Sequence, residues 1–220
     1  YGDHHDLHSF PTRRSSDLGE KMAEGRRLPE WLKVRMPGGP NYIELKNLMR
    51  DNNLHTVCEE AHCPNIHDCW SRGTATFMIA GKACTRGCRF CAVDTIRNPP
   101  PPDRDEPENL ADAIESMGLT YAVITVVNRD DMQDGGASHY RQCLDAVHQR
   151  LPEVGLELLC SDLSGNLEAL ESLLDNAPLQ VFAHNVETVR RLTPRVRDPR
   201  ATFEQSRSEE HTSELQSRTN

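Results

Sequence analysis

The sequence predicts an α/β fold: a parallel sheet of about four βα units behind an N-terminal extension. Three observations predict it. From Thr74 onward, apolar β-branched runs alternate with segments of helical period. The run from Tyr121 to Val127 is apolar without interruption, as in a parallel strand buried on both faces. Gly118 and Pro152 punctuate the alternation as helix-stop signals. Four such units in order imply a parallel sheet with right-handed crossovers.

Taken in order, residues 1–18 and 207–220 carry no helical or strand period. Both resemble translated sequencing-adapter read-through and are expected to be foreign to the fold. His4, His5, His8 and His211 fall in these tails and are not read as ligands. Residues 19–72 form the extension. Glu20 to Gly39 is polar and interrupted by Pro29 and Pro37, an extended arm. Asn41, with Glu44 three positions on, is a capping-box pattern opening a helix whose Tyr42, Leu45, Leu48 and Met49 share a face. A short helix follows from Ile66 to Arg72.

Residues 73–206 carry the repeating units. Strand one is Ala75 to Ala80. The stiff polyproline run Pro99–Pro102 leads to helix one, from Pro107 to Met117, with Leu110, Ile114 and Met117 in register. Strand two is Tyr121 to Val127. Helix two follows Ser138, with Tyr140, Cys143, Leu144 and Val147 on its apolar face, which makes Cys143 a core thiol. Strand three is Leu156 to Cys160, helix three Leu167 to Leu174 and strand four Leu179 to His184, with a helix opening after Asn185.

Bulk properties narrow the function. A chain of 220 residues is long enough for one domain with a real core. A net charge of −9 argues against a nucleic-acid partner. No apolar run approaches the roughly 20 residues that span a bilayer, so no membrane partner is expected. The eight cysteines include two clusters of three, which fits metal binding in a reducing compartment better than a disulfide framework.

The most informative stretch is Cys84-Thr-Arg-Gly-Cys88-Arg-Phe-Cys91. Three thiols within so short a run can face one point. A structural zinc site normally closes with four protein ligands, whereas an iron–sulfur cube held by three cysteines keeps one iron open. Gly87 allows a tight turn between ligands. Lys82, Arg86 and Arg89 surround the run, and their charge favours thiolates. A second triad lies upstream: Cys58, Cys63 and Cys69, at spacings x4 and x5. His55, His62 and His67 lie among these, so a mixed Cys/His zinc site stands as an alternative there. The segments Arg129-Asp-Asp, Gly135-Gly136, Ser161-Asp162 and Asn185 with Glu187 follow successive strands, so all are expected at one end of the sheet, where parallel α/β folds bind ligands.

The C-x3-C-x2-C run with Phe90 before its last cysteine resembles the signature of the radical S-adenosylmethionine (SAM) family. The upstream triad narrows the resemblance to lipoyl synthases. Trp31-Leu-Lys-Val-Arg-Met-Pro-Gly-Gly, Thr74-Ala-Thr-Phe-Met-Ile-Ala-Gly, Arg129-Asp-Asp-Met-Gln-Asp-Gly-Gly and His184-Asn-Val-Glu-Thr agree with it. The resemblance implies a partial (β/α)6 TIM-like radical-SAM barrel with an N-terminal cluster-binding extension. It implies that Cys84, Cys88 and Cys91 hold a [4Fe–4S] cluster whose open iron chelates SAM, with Phe90 against adenine. Asn185 and Glu187 become partners for the ribose hydroxyls or the ammonium, or Asn185 a helix cap; Gly135 and Gly136 allow close backbone approach to SAM or simply form a turn. It also implies that Cys58, Cys63 and Cys69 hold a second [4Fe–4S] cluster, the sulfur source for insertion at C6 and C8 of a protein-bound octanoyl chain.

The implied partners are an octanoylated lipoyl-carrier domain (a 2-oxoacid dehydrogenase subunit or a glycine-cleavage carrier protein) and an electron donor such as ferredoxin or flavodoxin. The implied location is the cytoplasm, or the mitochondrial matrix in a eukaryote. Against the six strands of that family, four are visible here, so the last third, with a cluster-ligating serine, is expected to be missing and the chain as written inactive. Another radical-SAM sulfur inserter with an auxiliary cluster, such as a biotin-synthase-like enzyme, and a non-catalytic zinc module are the alternatives.

Overall fold

Phe77, Ile124, Leu158 and Phe182 stand side by side on four neighbouring strands, and this apolar row is the seam of the core. The first three are fully buried. The computed structural model describes residues 55–56 and 66–208. The polar arm, the helix expected at Asn41, Cys58 and Cys63, residues 1–18 and residues 209–220 lie outside the described residues.

In chain order the elements are β1 (His55–Thr56), α1 (Ile66–Ser71), β2 (Thr74–Ile79), β3 (Ala83–Cys84), β4 (Asp94–Thr95), α2 (Glu106–Ser116), β5 (Tyr121–Val126), α3 (Ala137–Arg150), β6 (Gly155–Cys160), α4 (Leu167–Leu174), β7 (Val181–His184) and α5 (Thr193–Val196). The main sheet has the order β1-β2-β5-β6-β7. β2, β5, β6 and β7 run parallel, and β1 adds antiparallel to β2. The four-unit parallel sheet expected from the alternation is therefore present, in the architecture of a partial TIM-like barrel. The short β1 and the two-stranded ladder of β3 and β4 carry too few residues to leave a periodic signal.

The helices form because each buries one stripe. α2 presents Leu110, Ala111, Ala113 and Ile114 to the sheet and carries Glu106 and Glu108 in its first turn, where the helix dipole favours acids. α3 presents Tyr140, Cys143, Leu144 and Val147, so Cys143 is the core thiol that its position predicts. α4 is capped by Asn166, whose side-chain oxygen accepts the Ala169 N–H at 3.1 Å. α2 packs on α3 and α3 on α4.

Three expectations change. β5 is not buried on both faces: Ala122 and Ile124 are buried, but Val123, Thr125 and Val126 are only half-buried. The helices cover one face of the sheet, and the apolar run alone does not reveal which. β5 also ends at Val126, because the Val127 carbonyl accepts from the Tyr140 hydroxyl instead of a neighbouring strand. No helix opens after Asn185; Glu187 takes a left-handed φ of 67°, and the chain turns until α5.

The start of α3 is built on a close approach. Gly136 precedes it at φ 97°, and a Cβ there would lie 2.6 Å from the Tyr140 hydroxyl oxygen. That hydroxyl is shared between the Val127 carbonyl at 3.0 Å and the Gly135 carbonyl at 2.9 Å. The Tyr140→Phe change leaves two buried carbonyls without this donor. It is expected to lower stability by about 1–3 kcal/mol, read from the denaturant midpoint.

Candidate functional site

The cysteine loop begins where β2 stops. Ala80 (φ 69°) and Gly81 (φ 98°) turn the chain sharply out of the strand. Ala80 is held from both sides: its N–H donates to Glu106 Oε2 at 2.8 Å, and its carbonyl accepts from Arg129 at 2.9 Å. Arg129 is buried, donates also to the Pro100 carbonyl at 3.0 Å and forks onto Asp131. It thereby ties the polyproline run to the strand end. The hydrogen bonds between them push Arg129 up and Asp131 down from their ordinary ranges.

Arg86 is the centre of the loop. Its side chain is 1% exposed. It forks onto Asp130 at 2.6–3.1 Å and reaches Asp162 at 2.6 Å. Asp130 follows β5 and Asp162 follows β6, so one guanidinium joins three strand ends. Burial alone disfavours the charged guanidinium, but the hydrogen bonds and charges of the two aspartates outweigh it and hold Arg86 protonated. Burial likewise works against the Asp130 carboxylate, and bonds from Arg86, Ser164 and Thr85 hold it far below the usual carboxylate range.

A fourth segment closes on the loop. Asp198 accepts the Gly87 N–H at 3.0 Å and pairs with Arg200. Arg200 donates to the Thr85 carbonyl at 2.6 Å and reaches Asp130 at 3.1 Å. The Arg89 N–H donates to the Val196 carbonyl at 2.8 Å. Hydrogen bonding to Arg200, helped by the Gly87 amide, brings the Asp198 carboxyl down to about 2.

Cys84 and Cys88 are half-buried, Cys91 is exposed, and all three are free thiols. Two of the sulfurs accept backbone N–H groups: Cys84 from Arg86 at 3.4 Å and Cys88 from Asp198 at 3.3 Å. Amide donors aimed at sulfur suit an anionic, metal-bound thiolate, so these residues fit an iron–sulfur cluster.

Beside the loop, a pocket opens at the C-terminal ends of β5, β6 and β7. Its lining includes Asn128, Ser161, Asp162, His184, Asn185, Glu187 and Arg197. The buried Arg197 Nε on its wall has no hydrogen-bond partner among the described residues.

The structure thus brings Asn185 and Glu187 together on one pocket and links that pocket to the cysteine loop through Asp162. Phe90 stands 53% exposed on the loop. Gly135 and Gly136 lie outside the pocket lining; they are buried, and a Cβ on Gly135 would sit 3.2 Å from Leu163 Cα. Cys69 is half-buried in α1, and its partners Cys58 and Cys63 lie outside the described residues. Arg86 does not serve the thiols as a free cation; its charge is committed to Asp130 and Asp162. Asp130 and Asp131 are both ion-paired, to Arg86 and to Arg129. Asp198, Arg197 and Arg200 carry no local signal in the sequence: Arg-Asp-Pro-Arg reads as a turn until the fold delivers it to the loop.

Residues 78–208, more than half of the chain, match the radical SAM superfamily, and the chain belongs to that superfamily. The particular likeness is to lipoyl synthases. Residues 6–63 match the N-terminal domain of lipoyl synthase of the radical SAM family, a match that begins inside the stretch 1–18. The chain is 53% identical over 181 residues to a lipoyl synthase of Halorhodospira halophila, covering 82% of this chain and 54% of that protein. It is 52% identical over 195 residues to a mitochondrial lipoyl synthase of Bos taurus, covering 86% and 52%. For a lipoyl synthase of Marinobacter nauticus the identity is 50% over 196 residues, covering 89% and 56%. The chain spans about half the length of the curated relatives it matches.

Two outcomes are expected. Arg86→Met leaves the fully buried Asp162 without its cation and destabilises the chain by about 3–5 kcal/mol, measured by denaturant unfolding. Acid acts through Asp198, whose folded pKa of about 2 lies below its ordinary 3.8. Its contribution is complete above pH 3.8 and is lost as the pH falls through 2. The stability gap between the native chain and Asp198→Asn is expected to close over that window in a pH series of unfolding midpoints.

Proposed function

We propose that this chain carries the SAM-cleaving and sulfur-inserting apparatus of a lipoyl synthase. The observation that carries the reading is the cysteine loop at the C-terminal end of β2, with two sulfurs receiving backbone amides, beside a polar pocket at the ends of β5–β7. Cys84, Cys88 and Cys91 hold one [4Fe–4S] cluster; Cys58, Cys63 and Cys69 hold a second. Cys84, Cys88 and Cys91 would hold the first cluster, which when bound and reduced would supply an electron for SAM cleavage.

This chain's own residues bind and orient. Asn185 and Glu187 offer an amide and a carboxylate to SAM's hydroxyls and ammonium, and the unpartnered Arg197 Nε offers a donor to an acceptor on the ligand. Phe90 offers its exposed ring to adenine, a surface that binding would cover. Gly135 and Gly136 form the turn before α3, where side chains would meet Leu163 and Tyr140. The substrate is an octanoyl chain on a lipoyl-carrier domain of a 2-oxoacid dehydrogenase or a glycine-cleavage protein, with sulfur inserted at C6 and C8. The donor is a ferredoxin or flavodoxin, and the location is the cytoplasm or the mitochondrial matrix. No helix among the described residues is long and apolar enough to cross a membrane.

The test is anaerobic reconstitution of the 220-residue chain with iron and sulfide, followed by SAM, a low-potential reductant and an octanoylated lipoyl-carrier domain. About eight irons per chain are expected, with about four lost when Cys84, Cys88 and Cys91 become Ala. The 220-residue chain by itself is expected to form no lipoyl product. Zinc in place of iron at both triads would contradict the proposal, and lipoyl formation by the isolated chain would contradict its expected inactivity.

A further inference from the structure

A cluster outside the cysteine loop is unused by this account. Glu106 opens α2; His139 and Cys143 lie one turn apart on the face of α3 that packs against it. The Glu106 carboxylate, the His139 imidazole and the Cys143 thiol each place a ligand atom within 4.8 Å of the others. Glu106 Oε2 is 2.5 Å from His139 Nε2, and His139 Nε2 is 3.8 Å from Cys143 Sγ. Cys143 is fully buried and His139 nearly so. The surroundings are the apolar core, where such a group of polar side chains needs a reason to remain.

We propose that Glu106, His139 and Cys143 form a binding site for a divalent transition metal of zinc type, separate from the iron–sulfur ligands.

The donor chemistry selects the metal class. One thiolate, one imidazole and one carboxylate suit a borderline ion such as zinc, and not magnesium or calcium, which take oxygen sets. A histidine and a cysteine at i and i+4 converge on one point from a single helix face. The nitrogen-to-sulfur spacing of 3.8 Å lies close to the roughly 3.6 Å between two such ligands on one tetrahedral zinc. The nitrogen-to-oxygen spacing must open to about 3.3 Å, which rotation of the Glu106 carboxylate provides. Three protein ligands leave the fourth position to a water. The Glu106 and His139 side chains keep 12% and 10% exposure, which gives the ion a way in.

Binding displaces protons in a balanced way. Burial, and secondarily the Glu106 charge, push the Cys143 thiol up, so it is protonated without metal. Its proton leaves to solvent as the sulfur–metal bond forms, and the imidazole keeps its proton on Nδ1 while Nε2 binds. No change of oxidation state is involved. Glu106 also accepts the Ala80 N–H, so a metal here would pin the residue from which the cysteine loop departs.

Cobalt(II) is the probe, added anaerobically to the reconstituted 220-residue chain with its iron sites filled. One equivalent is expected to bind with a thiolate-to-cobalt absorption band. Cys143→Ser is expected to abolish the band, and His139→Gln and Glu106→Gln to weaken cobalt binding at least tenfold, each with iron content unchanged. Glu106→Gln keeps an acceptor for Ala80, so it separates metal loss from unfolding. The band is expected to persist when Cys84, Cys88 and Cys91 are Ala, which separates this proposal from the SAM reading. Absence of the band, or its survival in Cys143→Ser, overturns the proposal.

Discussion

A single buried guanidinium holds the working end of this fold together. The Arg86 side chain belongs to the cysteine loop, yet its hydrogen bonds go to Asp130 after β5 and Asp162 after β6. Arg200 adds a second cation on Asp130 and grips the Thr85 carbonyl. Three loops and the segment 197–200 therefore share one network of charge-assisted bonds. Remove the centre, and Asp162 is left buried without its cation, while Asp130 keeps Arg200.

A buried ion pair is weak evidence for stability, since an apolar replacement of the same shape often does as well. Its value here is geometric. The loop from Ala80 to Ile96 contributes only the two-residue β3 and β4 to regular structure. Left to itself, such a loop has many conformations. Two aspartates fixed on successive strand ends select one, and the fork of Arg86 fixes orientation as well as distance. The Asp198–Gly87 bond and the amide donors to Cys84 and Cys88 then set the sulfur positions. The same logic holds Ala80 between Glu106 and Arg129 at the loop's entry.

The sheet was legible in the sequence because its strands are apolar runs of six residues or fewer between strong stop signals. Leu167–Leu174 is recovered at both ends, with Asn166 as its cap. The cysteine run stood out by its spacing, and the position of Asn185 and Glu187 at the C-terminal end of the sheet followed from their place after a strand. The ion pairs were not. Arg86 reads beside three cysteines as a cation for thiolates, and only the fold shows that it faces Asp162, seventy-six residues away. Asp198 is likewise invisible, because its partner Gly87 lies on a different unit. The helix expected after Asn185 does not form, because Glu187 takes a left-handed backbone and the chain turns there.

Hydrogen–deuterium exchange of the reconstituted chain, with Arg86 native and as Lys, tests the clamp most directly. Lysine keeps the charge and loses the fork. The account predicts that amide protection falls together in residues 84–91, 128–134, 162–165 and 197–200, with β2, β5 and β6 unchanged. Loss confined to the residues next to Arg86 would contradict it, and would mean that each loop is held by its own strand.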